Sequence, residues 1–177
     1  MTQIDDHAAE PNLCNICIDQ VLGEECAGRL YHYYRPEAKP FANRYEMLRT
    51  IEHLCDWLDY PQESDRPRSF ANSPASAEKP KEMRVKRCMS REKLTEARGE
   101  KATFVVHVMY RQNATWQGSV TWAETERTAN FRSAMELFKL MDSAVRMEPA
   151  AIEDIRSHKP VPDERGLPGD WQYQTEK

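Results

Sequence analysis

Residues 103–145 read TFVVHVMYRQNATWQGSVTWAETERTANFRSAMELFKLMDSAV. Their apolar residues first alternate and then recur at helical spacing, which dictates strands followed by a helix. Phe104, Val106, Val108 and Tyr110 alternate with Val105, His107, Met109 and Arg111, a period of two rich in β-branched and aromatic residues. Gln112-Asn113-Ala114-Thr115 breaks the run, and Asn tolerates the left-handed backbone of a hairpin turn. Trp116, Gly118, Val120 and Trp122 then fall on one face, with Gln117, Ser119 and Thr121 on the other. One dry and one wet face is antiparallel behaviour. Glu124 to Arg127 reads as a second turn, and Ala129 and Phe131 point inward from a short third strand. Ser133 and Glu136 have capping-box spacing, which satisfies two backbone donors at a helix start. Ala134, Leu137, Phe138, Met141 and Val145 form the apolar stripe, and Pro149 predicts an end near Met147.

The same landmarks recur ninety positions earlier. Gly118 matches Gly28, Phe131 matches Phe41, Glu136 matches Glu46, and Ser133 meets another capping residue, Asn43. The helix after Asn43 has the stripe Met47, Leu48, Ile51, Leu54, Cys55 and Leu58, and Pro61 lies past its end. Ungapped agreement at one offset predicts an internal duplication. Each unit is too small to bury a sheet face alone. The expectation is an α+β fold: an antiparallel sheet of five or six strands with two helices on one face. Two ββ(β)α repeats would stand in a pseudo-twofold arrangement. In chain order this gives a disordered N-terminus (1–12), a first repeat (13–60), a linker with a basic segment (61–98), a second repeat (99–147) and an acidic tail (148–177).

Twenty-five Lys and Arg against 29 Asp and Glu leave a net charge of −4, which is no overall nucleic-acid signature. No apolar run approaches the roughly 20 residues that span a bilayer. The first ten residues have neither a basic nor an apolar signal region, and the five cysteines are an odd number, so reduced thiols in a cytoplasmic protein are expected.

Cys14-Asn-Ile-Cys17 could join Cys26, His32, His53 or Cys55 around zinc. On a strand, however, Cys14 and Cys17 point to opposite faces, so no metal and no cofactor is expected. Arg111, Gln112, Asn113, Trp116 and Gln117, with Arg132, are the densest polar-aromatic cluster. Guanidinium, amide and indole groups can bind planar or anionic, nucleotide-like ligands by bidentate bonds and stacking. The plainer reading is a turn whose amides satisfy its own backbone. Lys79, Lys81, Arg84, Lys86 and Arg87 belong to a run, 79–93, with seven basic residues against two Glu. With Arg66 and Arg68 it could hold phosphate, though such a run is usually a solvated face. No nucleophile elbow, phosphate-binding loop, dinucleotide fingerprint or zinc-protease motif occurs, and the histidines have no partners at recognisable spacing, so no enzyme is expected.

The strings RQNATWQG and FRSA, with CAGRLYHYY and FANRYEMLRTIEHLCDWLDYPQ in the first half, resemble a group of small uncharacterised bacterial proteins. The resemblance covers most of residues 24–147 and implies no catalytic residue. The expected function is a non-enzymatic binding or adaptor protein with a protein partner. An inhibitor of a bacterial defence system, such as phages carry, fits the size, acidity and lack of a catalytic motif. The alternatives are a small-ligand binder using Arg111 to Gln117 and a nucleic-acid module using 79–93.

Overall fold

The computed structural model describes residues 10–64, 86–113 and 115–147, with 152, 153 and 157 beyond them. The chain divides into two compact units, Met1–Arg146 and Met147–Lys177. In the second, Ile152, Glu153 and Ser157 are helical.

The described residues of the first unit form an α+β fold. The elements are β1 (Cys14–Leu22), β2 (Glu25–His32), β3 (Lys39–Phe41), α1 (Arg44–Leu58), α2 (Arg91–Leu94), β4 (Ala102–Gln112), β5 (Thr115–Trp122), β6 (Arg127–Phe131) and α3 (Ala134–Val145). The strands make one six-stranded sheet in the order β3-β2-β1-β4-β5-β6, every neighbouring pair antiparallel. No helix among the described residues is long and apolar enough to cross a membrane.

The halves are joined at the centre, where Cys14 pairs with Val106, Asn15 with Val105 and Ile16 with Phe104. Outward from there the registers agree at the ninety-residue offset. Ile18 faces Gly28 and Val108 faces Gly118; Gly28 then faces Phe41, and Gly118 faces Phe131. β1 carries an extra residue between Ile18 and Gln20, and β4 carries one between Val108 and Tyr110. The helix starts agree too. Asn43 accepts the Glu46 amide at 2.9 Å and Glu46 accepts the Ala42 amide at 2.8 Å. Ser133 accepts the Glu136 amide at 3.1 Å and Glu136 accepts the Arg132 amide at 2.7 Å. Both predicted capping residues are thus in place, and α3 ends at Val145, near its predicted limit. Arg44 of α1 pairs with Asp142 of α3, one of its two bonds at 3.0 Å, beside Phe138.

Met47 and Ile51 of α1 and Leu137 of α3 are fully buried, as are Ile16, Phe104, Val106 and Val108 of the central strands. Asn15, Cys17 and Thr103, on the opposite side of those strands, are also sealed from water. The reason is the stretch 86–98, the end of the segment 61–98 that sequence assigns to a linker. Leu94 packs on Leu13 and Tyr33, with Met89 and Val105 at its margin. Asn15 donates to the Leu94 and Ala97 carbonyls at 2.9 and 3.0 Å, and the Cys88 amide donates to the Tyr33 carbonyl at 2.8 Å. Ser90 caps α2, its side chain accepting the Lys93 amide. Polar central-strand residues are therefore buried because a backbone supplies their partners.

Candidate functional site

The extra residue in β4 decides where the predicted site residues point. Val108 pairs with Gly118 but Tyr110 pairs with Gln117, so Met109 is a bulge. A bulge shifts the two-residue alternation by one position. Tyr110, placed by alternation in the dry row with Val108, is instead 54% exposed. Arg111, which alternation puts in one row with Val105 and His107, turns towards α1 and is only 6% exposed.

Arg111 is a clasp. Its Nε donates to the Pro61 carbonyl at 2.9 Å and its Nη1 to the Asp56 carboxylate. Its own carbonyl accepts the Ser64 amide at 3.1 Å, and the Asn113 amide donates to the Ser64 hydroxyl at 3.3 Å. The end of α1 and the chain after it are thereby fastened to the end of β4.

The other members of the predicted cluster face different ways. Gln112 and Asn113 are exposed, Asn113 with the expected left-handed φ of 55°. Trp116 and Gln117 are half-buried. The Arg132 side chain is 87% exposed, 3.6 Å from Glu136, and its carbonyl accepts the Thr115 hydroxyl at 3.3 Å. The structure thus brings the Arg132 backbone to the hairpin but turns the Arg111 guanidinium towards α1.

The two segments joined by the clasp carry exposed apolar residues. Among the described residues seven large apolar ones are exposed: Leu22, Tyr45, Trp57, Tyr60, Met109, Tyr110 and Met135. Trp57 and Tyr60 flank the C-terminal end of α1, and Met109 and Tyr110 lie in β4 just before Arg111. Trp57 packs edge-on against Tyr34, ring centres 5.3 Å apart. Met135 stands in the first turn of α3, which follows β6 at the end of the sheet where β4 also ends. Sequence reasoning passed over these residues. Trp57 and Met135 lie off their helices' apolar stripes, which is a readable signal; Tyr110 carries none without the bulge.

Of the basic run, Lys79, Lys81 and Arg84 lie outside the described residues, as do Arg66 and Arg68. Lys86 is exposed, whereas Arg87 lies over the Tyr33 ring at 4.0 Å. Cys14 and Cys17 have separate surroundings. Burial, with Cys55 nearby, pushes the Cys14 thiol up. Burial also pushes Cys17 up, to about 11, against the opposing pull of Arg29. Among the described residues no three His, Cys, Asp or Glu stand together as a metal site. Beside the β1 bulge, Asp19, Gln20, Gly28, Pro40 and Glu46 line a shallow groove of about 440 Å³. Its carboxylates are engaged, Asp19 by Arg29 at 2.8 and 2.9 Å and Glu46 by the Ala42 amide.

No family model, no curated protein and no solved structure matches this chain.

Proposed function

We propose that this chain is a non-enzymatic binding protein that acts through a protein partner, and that its contact surface is the aromatic end of the sheet held by the Arg111 clasp. The observation that carries the reading is that four exposed large apolar residues, Trp57, Tyr60, Met109 and Tyr110, belong to the two segments that the buried Arg111 ties together. Tyr, Trp and Met supply large contact area at low entropic cost, and such residues dominate the energetics of protein interfaces.

The frame under that surface is two ββ(β)α units about a pseudo-twofold through the Asn15–Val105 pair, with α1 and α3 across one face. The matched registers, bulges and caps support it, as does the Arg44–Asp142 bridge between the helices. The two copies have diverged where contact is proposed. Tyr110 and Arg111 stand where the first unit has Gln20 and Val21, so its corresponding end has neither clasp nor tyrosine.

A nucleotide-like ligand is less well supported, because two Arg111 donors already serve Pro61 and Asp56. The test is affinity capture from lysate of the source cell with the full chain as bait. Trp57→Ala and Tyr110→Ala, made together, are expected to lose a partner that the unsubstituted chain and Tyr45→Ala both retain. Recovery of the same proteins by all three baits, or of none by any, defeats the proposal. Native mass spectrometry of the same preparation showing a bound small molecule would favour the ligand reading.

A further inference from the structure

The two edges of the sheet are not alike. β3 closes one edge with three residues, and the middle one is Pro40, which has no N–H to offer a further strand. β6 closes the other with five residues and no proline. At the place corresponding to Pro40 it has Asn130, exposed, as is Thr128. Among the described residues no strand pairs with the far side of β6. A row of open backbone donors and acceptors templates a further strand unless something blocks it.

From this geometry we infer that β6 pairs antiparallel with β6 of a second copy of this chain, giving a twofold dimer with one continuous twelve-stranded sheet. The strand is self-complementary. With the axis at Ala129, Thr128 of each copy opposes Asn130 of the other, two polar side chains that can hydrogen-bond across the pair. Arg127, the only charged residue of β6, opposes Phe131 and not its own image. Ala129 meets Ala129, so nothing bulky stands on the axis. Thr128 is already bonded inward, its hydroxyl 2.8 Å from that of Thr121, which holds β6 flat on the sheet. Pro40 at the opposite edge explains why pairing stops at two: among the described residues only the β6 edge has no such block, so the assembly closes and does not grow into a fibre. This inference is independent of the aromatic end and its partner.

The test is analytical ultracentrifugation of the full chain over a concentration series. A reversible dimer is expected. Asn130→Pro, which gives β6 the block that β3 has, is expected to weaken association at least tenfold with an unchanged circular dichroism spectrum. Should that variant misfold, two doubly substituted chains decide. Thr128→Lys with Asn130→Lys sets like charges face to face and should be monomeric; Thr128→Lys with Asn130→Glu sets opposite charges face to face and should dimerise. In addition, Ala129→Cys should give a covalent dimer on mild oxidation that the unsubstituted chain does not. A monomer at every concentration, or a dimer indifferent to charge at 128 and 130, overturns the inference.

Discussion

Arg111 is the residue that ties the end of α1 to the end of β4. Its side chain is 7% exposed while its partner Asp56 is 55% exposed. The charge is buried but the pair keeps contact with water, so its removal should cost less than the roughly 3–5 kcal/mol of breaking a fully buried pair. Arg111→Ala is expected to lower stability by about 2 kcal/mol, read from the midpoint of urea denaturation. Arg111→Lys should recover only part of that, because an ammonium on a flexible stem cannot replace a planar fork reaching both Asp56 and Pro61. Two histidines set a pH dependence. Burial, then Arg35 and Lys39, push His32 down to about 4, and its Nδ1 accepts the Tyr34 amide at 3.3 Å. Burial also pushes His107 down, against the opposing pull of Glu10. In the unfolded chain a histidine takes its proton near pH 6.5, so between about 6.5 and 4 the unfolded state binds more protons. Stability is therefore full above pH 6.5 and is lost as pH falls towards 4. The melting temperature should be lower at pH 5 than at pH 7.5, and His32→Asn should flatten the difference. Little of this was legible beforehand. Sequence names Arg111 as a ligand contact beside a turn, and alternation alone does not show that the bulge turns it towards α1.

At the scale of elements, the bulges explain both that orientation and the two glycines. Gly28 faces Ile18 beside the β1 bulge and Gly118 faces Val108 beside the β4 bulge. A Cβ on Gly28 would overlap the Cys17 carbonyl oxygen, and one on Gly118 the His107 carbonyl oxygen. The obstacle is backbone, which cannot swing aside. Gly28→Ala and Gly118→Ala should each cost on the order of 3 kcal/mol or abolish folding, read by thermal denaturation. If one were neutral, the bulge beside it would not have the geometry described. Strand order around the hairpins and both helix starts were legible, because turn and cap chemistry is local. The bulges were not, since an extra residue in one strand shows itself only against its partner. Nor was the layer formed by 86–98, whose helix is only Arg91–Leu94. Its hold on the sheet comes from long-range bonds to Asn15 and Tyr33.

For the first unit as a whole, the central β1–β4 seam makes the two halves one cooperative object. Each half alone would expose a long, apolar strand edge. A chain of residues 10–64 and a chain of residues 86–147, made separately, should each lack a cooperative melt and should gain one when mixed. Two independent melts from the separate pieces would show that the seam is dispensable. The halves also find their common register at a fully buried residue, Asn15, whose side chain reaches the Leu94 and Ala97 carbonyls.

That seam has a consequence for how the chain is made. A ribosome releases β1, β2, β3 and α1 first, then must deliver the connecting stretch before β4 exists. Through that interval Cys14 to Ile18 stands bare along one side, an oily, hydrogen-bonding ribbon with its mate still unsynthesised. Nascent chains held at that length are where a holding chaperone would be needed, and where crowded translation would first produce clumps.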